Sequence, residues 1–172
     1  PGVNPVTINN NSTTVDVWVQ PRYSITGTVT LEGQNVSGQE VNGGSSIGLT
    51  NTNGSGAYSF TSIPSGTSVA LSLSRPGYVF SETLGRSLSF SLTQNEVRNF
   101  NGIANRISGT ARWATVGQEP AQGVTVTDGT RVAVTNSSGA YELVAVPNGS
   151  YTVSGTLSSY VVYVDPGVNP VT

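Results

Sequence analysis

Apolar and polar residues alternate in short stretches along the chain, and this pattern predicts strands joined by turns from end to end. Over residues 13–20, an extended chain places the three valines on one side, Val15, Val17 and Val19. It places Asp16, Trp18 and Gln20 on the opposite side. A period of two is typical of a half-buried strand. A shorter apolar piece with Val6 and Ile8 precedes it across an Asn-rich turn, which together predicts a hairpin. The 21 Gly and 9 Pro residues interrupt every stretch that a helix would need.

The heptapeptide Pro-Gly-Val-Asn-Pro-Val-Thr occurs twice, as residues 1–7 and again as residues 166–172. The spacing from residue 1 to residue 166 is 165 residues (166 minus 1). An identical stretch of varied residue types does not arise from composition alone, and a fixed spacing indicates a repeating polypeptide. The sequence is therefore interpreted as slightly more than one period of a longer array.

Between the two heptapeptides lie two diverged copies of one module. The first opens Ser-Ile-Thr-Gly-Thr at residues 24–28 and the second Arg-Ile-Ser-Gly-Thr at residues 106–110. Each then runs through a Gly-Ala-Tyr turn, a Pro-x-Gly turn and an aromatic landmark in the same order: 56–58, 64–66 and 77–80 in the first copy, 139–141, 147–149 and 159–163 in the second. Proline at the second position and glycine at the fourth suit a type I turn. The shared order predicts two domains of the same fold.

The second copy is shorter than the first. The first continues through two more strand-like pieces, Leu88 to Leu92 and Glu96 to Phe100, whereas the second stops inside the repeated heptapeptide. We therefore predict three parts: residues 1–20 are the closing strands of a preceding second module, residues 21–104 are a first β-sandwich module, and residues 105–172 are a second β-sandwich module that lacks its last strand.

Closure of the second module by residues 1–20 of the same chain is disfavoured by reach. Gln20 is joined almost directly to the first strand of module one, which would hold it about 30 Å or more from module two. Residues 8–20 extend over at most roughly 45 Å, and a hairpin halves that reach. The predicted partner is another copy of the chain, to which a donated strand would offer backbone hydrogen bonds and alternate side chains. A covalent tandem array is favoured over exchange between subunits, because residues 1–7 and 166–172 would compete for one slot.

The ordered motifs resemble the carboxypeptidase regulatory-like family and are similar to the collagen-adhesin B-type repeats of surface proteins. They are Ile-x-Gly, Gly-Val-x-Val at 123–126, Ser-Gly-x-Tyr-x-Phe at 55–60, Pro-x-Gly-x-Tyr at 147–151 and Pro-Gly-Tyr-x-Phe at 76–80. The resemblance implies a seven-stranded Greek-key sandwich, prealbumin-like or immunoglobulin-like, in extracellular proteins. It implies little about activity, because this fold serves as a spacer as often as a binder. The Lys–Asn crosslink of many adhesin repeats is impossible here, because the chain contains no Lys.

Composition excludes several classes of function. The chain carries only 9% charged residues and a net charge of −2, and its basic residues are scattered arginines with no patch for phosphates. Without Cys or His there is no disulfide and no thiolate or imidazole metal site, and a serine nucleophile has neither His nor Lys as its base. No apolar run reaches the roughly 18 residues that a membrane span needs. We expect no enzyme activity, cofactor, metal or nucleic-acid partner, and no membrane span in this segment.

A few residues suggest contacts or modification. Trp18 lies opposite the valine face, so it is expected to be exposed and is either an inter-module contact or a lone surface aromatic. Trp113 shares the parity of Ile107, which favours a place at the edge of the core over a ligand platform. The triplet Asn-x-Ser/Thr makes six asparagines candidates for glycosylation, although such triplets also arise by chance in a chain of this composition: Asn10, Asn11, Asn35, Asn53, Asn136 and Asn148.

Two hypotheses of different class follow. The preferred one is a structural building block of an extracellular or cell-surface filament, stalk or sheath, assembled end to end by strand complementation through Val6, Ile8, Val15, Val17 and Val19. The alternative is an adhesin stalk or a carbohydrate- or matrix-binding accessory module of a secreted protein, with a site on loop 42–46 or loop 116–122.

Overall fold

The computed structural model describes residues 15–164 and 169–171, and every regular element among them is a β-strand. Ten strands precede residue 105: β1 (Arg22–Leu31), β2 (Gln34–Asn35), β3 (Glu40–Asn42), β4 (Leu49–Asn51), β5 (Ala57–Pro64), β6 (Ser68–Ala70), β7 (Tyr78–Glu82), β8 (Ser89–Ser91), β9 (Glu96–Val97) and β10 (Phe100–Ala104). Five follow: β11 (Arg106–Thr110), β12 (Thr125–Thr127), β13 (Val132–Val134), β14 (Ala140–Val144) and β15 (Ser154–Thr156). The predicted all-β class is confirmed, with the strands divided among several sheets as in a β-sandwich. No described segment forms a helix able to cross a membrane.

Strand β1 is the centre of the N-terminal half, residues 22–104. It pairs antiparallel with β5 over most of its length and with β2 at its end. Its other side is covered by chain that runs parallel to it, first β9 and then β10. Strand β10 in turn pairs antiparallel with β7. The closing strand of this half therefore lies between β1 and β7, where both of its edges are paired.

The N-terminal half encloses its own hydrophobic cluster. Its buried members come from strands on both sides of the cluster: Ile25, Val29, Val41, Tyr58, Phe60, Ile63, Val69, Leu71, Leu92 and Phe100. Leu92 is 0% exposed and Phe100 is 1% exposed, so the last part of this half supplies two of its most buried side chains. Burial of a large apolar side chain contributes about 1.5–3 kcal/mol. The last part of this half, which includes Leu92 and Phe100 of β10, is therefore a principal source of its stability.

The C-terminal half, residues 105–171, repeats part of this arrangement. Strands β11 and β14 pair antiparallel, and β12 lies between β13 and β15. Gly109 is opposite Tyr141 in the β11–β14 pair, as Gly27 is opposite Tyr58 in the β1–β5 pair. A second cluster of buried residues fills this half: Ile107, Ala121, Val124, Val126, Leu143, Val146 and Val153.

The two halves meet through a polar junction at Ala104–Arg106. The Glu32 carboxylate accepts a hydrogen bond from the Ala104 N–H at 2.6 Å and lies 3.0 Å from a guanidinium nitrogen of Arg106. Another nitrogen of the same guanidinium lies 3.0 Å from a Glu142 carboxylate oxygen. A Cβ on Gly77 would overlap the backbone of Ala145, so the two halves also touch directly there. Side chains and backbone of both halves thus restrain the short connection.

We expect Glu32→Gln to loosen this junction. The hydrogen bond from Arg106, with that from the Ala104 N–H, holds the pKa of the Glu32 carboxyl below its ordinary value of 4.5. A lowered folded-state pKa gives stabilisation that is complete above pH 4.5 and is lost as pH falls through the folded pKa. In ¹⁵N relaxation, the two halves should tumble together at pH 7 and more independently once the pH falls below the lowered pKa of Glu32. The Glu32→Gln protein should tumble like the acidified wild type at every pH, and the exposed Glu119→Gln control like the wild type. Equal tumbling of Glu32→Gln and wild type at pH 7 would contradict a junction held by this contact.

Candidate strand-acceptor site

The closing strand of the N-terminal half shows how one edge of β1 is satisfied. The N–H groups of Ser24 and Thr28 point away from β5 and donate to the side-chain oxygens of Asn95 and Asn99, each at 2.9 Å. Between these contacts, the Arg98 N–H donates to the Thr26 carbonyl at 2.8 Å. The chain from residue 95 to residue 104 therefore occupies the whole free edge of β1.

A glycine and a tyrosine receive this strand at its middle. The Tyr58 hydroxyl donates a hydrogen bond of 2.7 Å to the Arg98 carbonyl. That carbonyl packs so closely on Gly27 that a Cβ there would overlap it. Tyr58 is 4% exposed, and burial raises the pKa of its hydroxyl well above the usual value, so it remains a hydrogen-bond donor. Tyr58 and Phe60 both lie in the core of this half, and the buried Tyr58 hydroxyl has a hydrogen-bond partner.

The corresponding edge of β11 is unpaired among the described residues, because β11 pairs only with β14, which lies along its other edge. The Ala111 N–H bonds to the Gly139 carbonyl as the Val29 N–H bonds to the Gly56 carbonyl, so β11 has the same alternation as β1. It follows that the N–H groups of Ser108 and Thr110 point to the open side. An unpaired strand edge of this kind is a template for another strand.

A groove of about 290 Å³ lies along that edge. One wall is residues 108–111 and the other is residues 162–164, and the floor is apolar or aromatic: Val124, Val126, Tyr141, Val153 and Gly155. A wider hollow of about 510 Å³ continues from it past Trp113 and Tyr160. No lining residue of the first groove is charged, so the groove suits an uncharged, apolar strand.

The outer wall of this groove is the counterpart of β7, and it too has no strand partner among the described residues. The Tyr160 ring is 61% exposed, Val161 77% and Tyr163 79%. In the N-terminal half β10 pairs along β7 and fills the space between β7 and β1. The C-terminal half has both walls of that space and nothing described between them.

Gly109 and Tyr141 stand in this groove as Gly27 and Tyr58 stand in the N-terminal half. Here the closest atoms to a Cβ on Gly109 would be those of the Tyr141 ring, at 2.7–2.9 Å, and not a backbone carbonyl. Tyr141 is only partly buried, and its hydroxyl donates no hydrogen bond to a described residue. The sequence analysis assigned Gly109 no role. The shared Ile-x-Gly motif was the available signal, but it does not say what packs on the glycine.

Residues 169–171, the described part of the second heptapeptide, bond to the chain at residues 151–153. The N–H and carbonyl of Val171 exchange hydrogen bonds of 2.8 and 2.7 Å with Tyr151, and Asn169 bonds to the backbone of Val153. In the N-terminal half, Val69 of β6 pairs in the same way with Phe90 of β8. Val171 therefore stands where β8 stands.

The strand predicted over residues 13–20 is not present in the described part, residues 15–20, which pairs with no described strand. Val15 is 53% exposed, Val17 85% and Val19 96%, and Trp18 on the opposite side is 90% exposed. Neither side of residues 15–20 is covered in the single chain. Burial against another copy stays a prediction. Val6, Ile8, Asn10 and Asn11 lie outside the described residues.

The remaining glycosylation candidates are exposed, and two of them have a structural role that the sequence analysis missed. Asn35 lies in β2, and the Asn148 side chain accepts a hydrogen bond from Asn105 at 3.2 Å. The side-chain oxygens of Asn53 and Asn136 each accept from a serine N–H, a serine hydroxyl and an alanine N–H two to four residues later. These bonds hold the Gly-Ala-Tyr turns in place before β5 and β14.

We expect Asn136→Ala to destabilise the C-terminal half by about 1–2 kcal/mol, because three hydrogen bonds of one turn lose their acceptor. Asn148→Ala, which removes one exposed contact, should cost less than about 0.5 kcal/mol. Chemical denaturation followed by Trp113 fluorescence, in a Trp18→Phe background, measures both. Equal effects of the two substitutions would show that the turn does not depend on Asn136.

Trp113 lies partly buried against the C-terminal cluster, and its ring meets Tyr160 edge-to-face at 4.9 Å. Its place at the core edge is as predicted from parity. Within the described ranges, no three His, Cys, Asp or Glu residues are grouped as metal ligands. The tightest group of charges there is in the N-terminal half, where Arg86 bonds the buried Glu82 at 2.7 Å and Glu96 contacts Arg98 at 3.2 Å. Arg86 also lies 3.6 Å from Glu96, and this contact joins the chain after β7 to β9.

Comparison with known proteins gives no family for this chain. No family model and no curated protein matches it. Among solved structures it is similar to the Bacillus anthracis TIE protein, with a TM-score of 0.43 and 16% sequence identity over 84% of this chain. The match spans only 30% of that protein's chain.

Proposed function

We propose that the protein is a structural building block of an extracellular tandem-repeat filament, stalk or sheath whose repeats are joined by strand complementation. In this proposal the two halves are tandem Greek-key sandwich modules of the carboxypeptidase regulatory-like type. The groove beside β11 receives residues 8–20 of the next repeat. The observation that carries the proposal is the open space between β11 and residues 162–164, whose counterpart in the N-terminal half is filled by β10.

The identity of the occupant is supported by the repeated heptapeptide. Residues 166–172 have the sequence of residues 1–7, and Val171 already stands in the position of β8. In an array of this sequence the chain after Thr172 would continue with Ile8, the Asn-rich turn and the three valines. The filling strand would therefore come from the following repeat of the same polypeptide. A covalent array needs no displacement of Val171 by an incoming copy of residues 1–7.

Rod-like stiffness is supported by the junction between the halves. The Glu32–Arg106–Glu142 contacts and the direct approach of Gly77 to Ala145 leave the connection little freedom. Neighbour contacts of this kind supply part of the stability of linear arrays. Electron microscopy of the native material should show filaments with an axial repeat of about 60–80 Å, two sandwich lengths.

The proposal is tested by extending the chain after Thr172 with the sequence of residues 8–20. The extended protein should unfold in its C-terminal half about 10 °C higher, equivalent to about 2 kcal/mol for a domain of this size. The amides of Ser108 and Thr110 should become protected from hydrogen exchange, because they gain partners. The matched control carries Ser at the extension's positions corresponding to Val15, Val17 and Val19, and should resemble the unextended chain. An extension that leaves both the melting temperature and the two amides unchanged would rule out complementation.

A binding module is the second candidate, and one observation favours it. Trp113, Tyr160 and Tyr163 line the 510 Å³ hollow next to the groove, and exposed aromatic rings are surfaces on which sugar rings can pack. This hollow lies partly on the path of the proposed strand. A glycan array probed with the extended and the unextended chain distinguishes the two: carbohydrate binding that survives the extension would favour an adhesin or accessory module.

A further inference from the structure

We propose that Gly109 and Tyr141 form a receptor for one backbone carbonyl of the incoming strand, and that this contact sets the register in which the strand enters. The inference rests on the function proposed above and identifies the residues that decide how the neighbouring repeat is bound. In this receptor the Tyr141 hydroxyl donates a hydrogen bond to the carbonyl, and Gly109 leaves room for the carbonyl because it has no side chain.

The filled half provides the geometry. There the Tyr58 hydroxyl donates to the Arg98 carbonyl at 2.7 Å, and that carbonyl lies against Gly27, where any side chain would overlap it. The glycine and tyrosine face each other across the β1–β5 pair. The same two residue types face each other across the β11–β14 pair. The C-terminal half thus keeps the receptor although no described strand fills it.

The empty receptor has the chemistry that such a carbonyl requires. Gly109 and Tyr141 both line the groove, and the Tyr141 hydroxyl donates to no described residue. Donation to a carbonyl would give this hydroxyl the partner that a buried hydroxyl needs once a strand covers it. The Ser108 carbonyl and the Thr110 N–H flank the receptor, as Thr26 and Thr28 flank Gly27. They would bond to the same strand and orient it parallel to β11, as β9 and β10 are parallel to β1.

The register follows from two fixed points. Val171 beside Tyr151 corresponds to Phe90 beside Val69, so the residue two positions later, Ile8 of the next repeat, takes the position of the buried Leu92. The three valines, at positions 15, 17 and 19, match the three buried positions of β10 in order, at 100, 102 and 104. Seven residues separate Leu92 from Phe100 and six separate Ile8 from Val15, so the connection before the strand is one residue shorter in the neighbouring repeat. Arg98 precedes Phe100 by two residues, so in the register set by the valines the carbonyl received by Gly109 and Tyr141 is that of Thr13 in the neighbouring repeat.

The test measures binding of a peptide with the sequence of residues 8–20, labelled with a fluorescent dye at its carboxyl end, to the 172-residue chain by fluorescence anisotropy. Gly109→Ala should weaken binding at least 30-fold, because the added Cβ occupies the position of the carbonyl. Tyr141→Phe should weaken binding about three- to tenfold, the equivalent of one hydrogen bond, and should leave the melting temperature of the free chain unchanged. Gly54→Ala in the N-terminal half is the matched control, because no atom lies within 4 Å of a Cβ there.

The outcomes separate this inference from the function on which it rests. If the wild-type chain binds the peptide no better than it binds a scrambled peptide, complementation itself is wrong. If the wild type binds and Gly109→Ala and Tyr141→Phe bind equally well, complementation stands and the receptor is wrong. Should Gly109→Ala lower the melting temperature of the free chain, the Tyr141→Phe comparison decides, because that substitution removes only a hydroxyl.

Discussion

Replacing Gly27 with alanine is expected to destabilise the N-terminal half by about 4 kcal/mol or more, at the upper end of single-residue effects. The new Cβ would overlap the Arg98 carbonyl, which is backbone and is held in place by the Tyr58 hydroxyl and by the Arg98 N–H bond to Thr26. The closing strand would have to move away from β1. This movement would expose Phe100 and break the hydrogen bonds along the edge of β1. Guanidinium denaturation resolved by hydrogen exchange in each half measures the loss.

The control for this prediction is Gly109→Ala in the same chain. There a Cβ would meet only the Tyr141 ring, which is a movable side chain, so a cost of about 1 kcal/mol or less is expected. Equal destabilisation of the two halves would mean that the Arg98 carbonyl does not explain the need for Gly27. The contrast between the two glycines also measures how much the N-terminal half depends on a strand that the C-terminal half lacks.

The second large effect is expected for Phe100→Ala, which should cost the N-terminal half about 3–5 kcal/mol. Phe100 is 1% exposed and its ring lies 6.3 Å from that of Tyr58, so its removal leaves a cavity in the middle of the cluster. Equilibrium unfolding of this half, followed by tyrosine fluorescence in a background without Trp18 and Trp113, gives the free energy of unfolding.

Val97→Ala in the neighbouring strand β9 is the control for Phe100→Ala. Val97 is 57% exposed, so its truncation should cost about 0.5 kcal/mol or less. A loss from Phe100→Ala no greater than that from Val97→Ala would show that the closing strand adds little to the core. The proposed role of residues 8–20 in the next repeat would then lose its physical basis, because they are assigned the same task.

Several local features of the fold were predictable from the sequence. The alternation of residues 22–31 and the Gly-Ala-Tyr turns identify β1, β5, β11 and β14. Period-two burial is a property of each strand by itself, and the turn residues act over two to four positions, so both can be recognised in the linear sequence. The same alternation occurs in residues 15–20, whose valines are exposed in the single chain. An alternating pattern indicates that one face of a strand is suited to burial, but it does not indicate which part of the structure packs against that face.

The site depended on pairings that no local pattern specifies. The bonds that close the edge of β1 join residues 71 positions apart, as between Ser24 and Asn95 or Thr28 and Asn99. Only the sheet topology shows which side of β11 is open among the described residues. It also shows that Gly109 and Tyr141 face that side.

The sequence by itself determined the all-β class, the internal duplication and the 165-residue spacing of the heptapeptide, because strand period, turn chemistry and self-similarity are all present in the order of residues. Only the tertiary structure decided where Val171 pairs, which edge of β11 has no described partner, and that Gly109 lines the groove along that edge. The physical reason is that backbone hydrogen-bonding groups are the same in every residue, so the fold, and not the side chains, selects which of them are left for a neighbour.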